Sequence, residues 1–287
     1  MLLNLREILE PAVRENFAVG GFNVTESTMF KAIVEEAEIR MSPAVIQVSP
    51  NEFQFAEREL YLYFSGRLQN SRIPFVLHYD HGKSYEGCMK AIQAGFTSVM
   101  FDGSQMNYHE NVEYTKKVVE AAHSVGVSVE GEIGSIGETE DYNKGTVRNV
   151  VYTSPEAARQ FIIDTGVDAL AVSIGTVHGL LPQGFVPQLQ LSLLKEIAAV
   201  VPVPLVLHGG SGTPHGEVST ACKMGIHKVN ISSEFKNAYY QSVKEFVSEN
   251  PTVVSPTQVL KNAVRRVRQV VGTKMQVLNS VGKVRFY

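Results

Sequence analysis

The chain has 287 residues, 44% of them apolar and 19% charged, which suits a soluble globule with a large core, built as two ordinary domains or one large α/β barrel. A net charge of −3 with no basic run argues against nucleic acid and against a charged membrane surface as partners. Two cysteines, Cys88 and Cys222, make neither a disulfide framework nor a thiolate metal site, so a cytoplasmic protein is expected.

Taken in chain order, "MLLNLREILEPAVREN" reads as an amphipathic helix and not a signal peptide. A rhythm follows of short apolar runs, polar turns and helical stretches. The runs are "FAVGGFNV", "AVIQVS", "IPFVLHYD", "FTSVMFDGS", "VSVEGEIG", "VDALAVSIG", "VPLVLHGG" and "IHKVNISS". Between them lie helical segments such as "ESTMFKAIVEEAEIRM", "SYEGCMKAIQAG" and "NVEYTKKVVEAAHSVG", several ending in a glycine (Gly95, Gly126, Gly166, Gly225). Near-continuous apolar strands alternating with helices indicate a parallel sheet covered on both faces. Eight such units predict an α/β fold, a (β/α)8 TIM barrel forming one domain over 1–287, with an additional C-terminal helix in "PTQVLKNAVRRVRQVVGTKMQVL". No apolar run approaches the roughly 20 residues of a membrane span.

In such a barrel the active site lies at the C-terminal strand ends. Those ends carry Asn23, Ser49, Asp80 with His81, Asp102, Glu130 with Glu132, His178, His208 and Asn230 with Ser232 and Ser233. Of the eight histidines, His109, His123, His215 and His227 read as surface or packing residues. His81, His178 and His208 are expected to end strands three, six and seven, and three converging imidazoles with an open fourth position are the usual form of a catalytic zinc site. His78, inside its strand, reads as support for them. In "LHGGSG", Gly209 and Gly210 let backbone N–H groups approach an oxyanion and Ser211 adds a hydroxyl, while "NISS" opens a helix whose N-terminus favours an anion. Together they predict a phosphate site. The polar connection "GETEDYNKGTVRN" (137–149) reads as an insertion or a lid, and one of its acids, Glu138, Glu140 or Asp141, as a general base.

Five motifs in order, "HYDHG", "SVEGEIG" with its acidic loop, "AVSIGTVHG", "PLVLHGGSG" and "KVNISSE", resemble the class II, metal-dependent ketose-bisphosphate aldolases. The resemblance implies a zinc-dependent lyase of sugar metabolism. It would cleave a fructose- or tagatose-type 1,6-bisphosphate reversibly to dihydroxyacetone phosphate and an aldehyde such as glyceraldehyde 3-phosphate. By the resemblance, His81, His178 and His208 bind zinc, Asp80 handles the hydroxyl beside the cleaved bond, and Glu140 enolises the triose phosphate. Asn23, Ser49, Gly179, Gly209, Gly210, Ser211, Asn230, Ser232 and Ser233 contact substrate or phosphate. Asp102, Glu130 and Glu132 support the ligands or offer another metal position. A monovalent cation and a homodimer or homotetramer are also implied. The segment after His178, "GLLPQGFVPQLQLSLL", lacks the lysine and the aspartate common in the family, so other phosphorylated ketoses, a deoxygluconate phosphate among them, stay open. So do Schiff-base chemistry on Lys228 and a non-catalytic sugar-phosphate-binding barrel.

Overall fold

The structure is a computed structural model describing residues 1–139, 147–148, 150–179 and 185–287. In order the elements are α1 (Leu5–Arg14), β1 (Val19–Asn23), α2 (Ser27–Arg40), β2 (Ala44–Val48), α3 (Pro50–Phe55), α4 (Arg58–Gln69), β3 (Phe75–Gly82), α5 (Tyr85–Gln93), β4 (Ser98–Phe101) and α6 (Tyr108–His123). Next come β5 (Ser128–Ile133), β6 (Gly137–Thr139), β7 (Val147–Arg148), α7 (Pro155–Thr165), β8 (Ala169–Val172), β9 (Val177–His178) and α8 (Leu191–Val200). The chain finishes with β10 (Leu205–Leu207), α9 (His215–Lys223), β11 (Ile226–Ile231), α10 (Ser233–Glu249) and α11 (Pro256–Val277).

The barrel closes in the order β1-β11-β10-β8-β5-β4-β3-β2, with every neighbouring pair parallel. Its eight strands coincide with the eight apolar runs, because a strand walled by the barrel interior on one side and helices on the other must be apolar on both faces. The main core lies between strands and helices, with Phe22, Phe64, Phe75, Phe101 and Phe161 fully buried. A second cluster fills the N-terminal end of the barrel, where Leu5, Ile8 and Leu9 of α1 meet the inward-facing Val19, Val45, Val76, Ala169 and Val206. The predicted N-terminal helix is therefore a plug. Its start is fixed by a capping box in which Asn4 and Glu7 exchange side-chain and backbone hydrogen bonds.

Two features depart from the expected pattern. A short helix, α3, follows β2 directly. Beyond the ends of β5 and β8, a three-stranded sheet of order β7-β6-β9 adds to the barrel, with Glu138 level with His178. His178 thus does not end barrel strand six. That strand stops at Val172, and the chain turns through Gly175 (φ +113°), where a Cβ would stand 2.4 Å from the Gln188 carbonyl, before β9 presents the histidine.

Candidate active site

"HYDHG" ends β3 in a way that local pattern does not announce. Adjacent residues of a regular strand face opposite sides, yet Asp80 and His81 line the same pocket. The β3–β4 register shifts between Tyr79 and Gly82, and His81 takes a left-handed backbone, φ +55°. An irregularity of this kind re-aims a side chain, and a non-glycine residue in this region costs about 1–3 kcal/mol. Gly82 makes it possible, since a Cβ there would meet the Met100 carbonyl at 2.6 Å.

His81, His178 and His208 converge, with one ligand atom from each within 4.8 Å of the others. Their orientations are fixed from behind. His208 Nε2 pairs with Glu130 Oε1 at 2.8 Å, which leaves a buried Nδ1 with no hydrogen-bond partner. His81 Nδ1 pairs with Asp102 Oδ2 at 2.8 Å, and Asp102 is held in turn by Lys83 and Ser104. A second group able to hold an ion, His81, Asp102 and Glu132, adjoins the first. His78 lies fully buried beneath, its Nδ1 2.8 Å from Ser98 Oγ and its Nε2 3.7 Å from Glu130.

Lys228 ties this centre together. Its ammonium, fully buried, donates to Glu130 Oε2 at 2.8 Å and to Asn230 Oδ1 at 2.7 Å. The second bond sets which way the Asn230 amide points, so Nδ2 donates to Asp80 Oδ1 at 3.1 Å. Asn23 Nδ2 donates to the other oxygen, Oδ2, at 2.6 Å. With its nitrogen buried in an ion pair, Lys228 is poorly placed for a Schiff base.

Protonation follows from burial and these neighbours. Burial would raise Asp80, but His81 and Lys228 outweigh it and hold the carboxyl well below the usual range. Glu130 is likewise lowered against its burial, by Lys228 and the His208 bond. Burial and the nearby Asp102 push Glu132 up to about 8. His81 rises to about 9, because Asp80, Asp102 and Glu132 overcome the burial that lowers it. His178 falls to about 3 through burial and the His81 charge, and burial also lowers His208.

The pocket holding Asp80, His81 and His178 is also lined by Asn23, Ser49, Gly179, Gly209, Ser211, Asn230, Ser232 and Ser233. Gly210 departs from expectation: its N–H is committed to the Asn230 carbonyl at 2.9 Å, and a Cβ there would meet that carbonyl at 2.8 Å, so this glycine serves close packing. Ser211 Oγ accepts from the Ser232 and Glu234 amides at 3.0 and 3.3 Å, capping α10 in place of the unbonded Ser232 side chain. Having accepted twice, the hydroxyl keeps its own hydrogen to donate. Asp102 and Glu132 line a neighbouring pocket with Lys83 and Gln105, while Glu130 lies beneath. Glu140 and Asp141 lie outside the described residues. Sequence reasoning missed Lys83, Lys236 and the linking role of Lys228. Lys236 lines the main pocket and pairs with Glu52 at 2.6 Å, and its only sequence signal was a position one turn into the helix that "NISS" opens.

The family model for class II fructose-bisphosphate aldolase matches residues 3–283. A fructose-bisphosphate aldolase of Thermus caldophilus is 37% identical over 99% of this chain and 100% of its own. One of Geobacillus stearothermophilus is 35% identical over 98% of both. The crystal structure of the YdjI aldolase of Escherichia coli K12 superposes with a TM-score of 0.87 at 30% identity, covering 99% of this chain and 100% of that one. With this fold, these strand-end residues and a match along nearly its whole length, the chain belongs to the class II fructose-bisphosphate aldolase family, whose members are carbon–carbon lyases.

Proposed function

We propose that this aldolase is zinc-dependent and acts on a ketose 1,6-bisphosphate of the fructose or tagatose type, releasing dihydroxyacetone phosphate and an aldehyde such as glyceraldehyde 3-phosphate. The observation that carries the reading is the meeting of three imidazoles within 4.8 Å with Asp80 and two anion-favouring loops in one pocket. The donors fit a divalent metal: His208 has a buried Nδ1 that makes no hydrogen bond and stands 3.4 Å from Glu132 Oε2, and carboxylates behind His81 and His208 fix both rings as ligating histidines require. An all-imidazole set with an open side suits zinc, which His81, His178 and His208 would hold. When bound, zinc supplies Lewis-acid stabilisation of negative charge on the ketone half of the substrate.

The chain's own residues do the rest. Asp80, ionised at neutral pH, takes the C4 hydroxyl proton in cleavage and returns it in condensation, and the Asn23 and Asn230 amides fix its plane. Ser211, Ser232, Ser233 and the glycines Gly179 and Gly209 receive the phosphate, with the α10 N-terminus adding favourable potential. Glu140 is assigned the C3 proton of the triose phosphate on family resemblance, with Glu138 and Asp141 as its substitutes. A cytoplasmic role in glycolysis or a neighbouring sugar pathway fits two free, buried thiols. The reading extends to a homodimer or homotetramer, which light scattering resolves.

The test compares kcat/KM for fructose 1,6-bisphosphate, tagatose 1,6-bisphosphate and a deoxygluconate phosphate, before chelation, after it, and with zinc restored. Cleavage that survives complete metal removal sinks the zinc assignment. A clear preference for the deoxygluconate phosphate replaces the bisphosphate.

A further inference from the structure

Lys274 of α11 is 3% exposed, although lysines are almost never buried without a partner. Its ammonium donates to Glu234 Oε2 at 2.6 Å and to His215 Nε2 at 3.2 Å, and stands 3.5 Å from the Gly210 carbonyl. These partners belong to three separate pieces around the anion pocket. Glu234 lies in the first turn of α10, Gly210 in the loop after β10, and His215 at the start of α9. The glycine loop and the α10 turn are joined again by Ser211 Oγ, which accepts from the Glu234 amide.

Glu234 poses an electrostatic problem for the phosphate reading. A carboxylate in the first helical turn competes for the same positive potential that favours a bound anion, and it would repel a phosphate held at that helix start. A buried cation that pairs with it removes the repulsion and leaves the N-terminal amides to the ligand. Among the described residues one lysine lines this pocket, Lys236, and it is paired with Glu52.

We propose that Lys274 is a positioning residue for phosphate binding: from the C-terminal helix it neutralises Glu234 and pins the Gly209–Gly212 loop to the start of α10. It touches no reacting atom, so its signature is on KM and not on kcat. The proposal rests on the reading that the "GGSG" and "NISS" loops hold the substrate phosphate.

The experiment measures KM for the preferred phosphorylated ketose, the inhibition constant of inorganic phosphate, kcat, zinc content and Tm. It covers the wild type, Lys274→Met, Glu234→Gln, the double variant and Ser211→Ala. Lys274→Met is expected to raise both KM and the phosphate inhibition constant by about tenfold, the scale of one interaction with a charged group, at unchanged zinc content and near-unchanged kcat. Adding Glu234→Gln to it is expected to recover most of that loss, which a purely structural lysine would not predict. An unchanged phosphate constant in Lys274→Met, a loss confined to kcat, or no recovery in the double variant overturns the proposal. If Lys274→Met does not fold, Glu234→Gln alone decides: the Lys274 ammonium then loses its counter-charge and adds positive potential beside the loops, so phosphate should bind roughly threefold tighter, and equal or weaker binding overturns it. Ser211→Ala separates the two readings. If it too leaves phosphate affinity unchanged, the loops do not bind phosphate; if it alone weakens binding, only the assignment to Lys274 fails.

Discussion

The two ends of the barrel treat buried charge in opposite ways. At the N-terminal end Asp168 is saturated: it takes bonds from Arg6, from His123 Nε2 at 2.8 Å and from the Val129 amide at 2.7 Å. Above it α1 seals an apolar plug. At the C-terminal end His208 Nδ1, His78 Nε2 and Glu132 Oε2 are buried with no hydrogen-bond partner, and His81 holds a left-handed backbone. At the first end Asp168 spends its capacity on holding the fold, and His227 Nδ1, at the start of β11, is a lone buried atom without a hydrogen bond. At the other end such atoms are gathered together, and a cluster of them points to where an ion or substrate is to be received.

The largest effect expected on this contrast is loss of the metal. His208→Ala should carry little zinc by elemental analysis and show almost no cleavage, whereas retained zinc with full activity would erase the distinction between the ends. Asp80→Ala comes next, with cleavage down by roughly 10²–10⁴-fold. It should still exchange the C3 proton of triose phosphate with deuterium, because that proton is assigned to another group. Behind the ligands, Glu130→Gln should weaken zinc by about 10–100-fold in a competition titration.

At the opposite end, Asp168→Ala should cost about 1–3 kcal/mol of unfolding free energy, since the buried Val129 amide loses its acceptor, while the exposed Arg6 turns to solvent. Its kcat at 25 °C should equal that of the wild type, and a large change in kcat would show that the plug and the mouth communicate. The smallest effect is a pH trend. In the metal-free protein His81 is raised to about 9 from 6.5. A raised pKa stabilises the fold fully below pH 6.5, and that contribution is lost as pH rises through 9. Zinc needs the unprotonated ring. The increase in Tm on adding zinc should therefore grow between those limits, and a gain that is flat or falling would contradict the proton assignment.

Much of this was legible in the sequence, and the reasons differ by element. The eight strands announced themselves because both faces are buried, so most are near-continuous apolar, β-branched runs, broken in β3, β5 and β11 by the polar residues of the site. The helix ends at Gly126 and Gly166 were equally plain, with φ of +76° and +74° at the turns that only glycine makes cheaply. The bend at His81 was not, because it depends on Gly82 facing a carbonyl of the next strand. The seat of His178 depends on pairing with β6, a contact between segments far apart in the chain. Lys274 was read only as part of a further helix, since nothing near it in sequence points to the loop it touches. Local pattern reports burial, while contacts across the fold decide which polar groups meet.

The pairing of Glu138 with His178 has a thermodynamic corollary. The strand that precedes the acidic segment and the strand that carries His178, a proposed zinc ligand, are hydrogen-bonded neighbours, so their conformational equilibria are shared. Whatever factor the ion contributes to seating β6 against β9, seating β6 must return to the ion's affinity. Substitutions in 137–149 that never approach the metal should thus appear in its dissociation constant, and a chelator should register in the hydrogen exchange of β6.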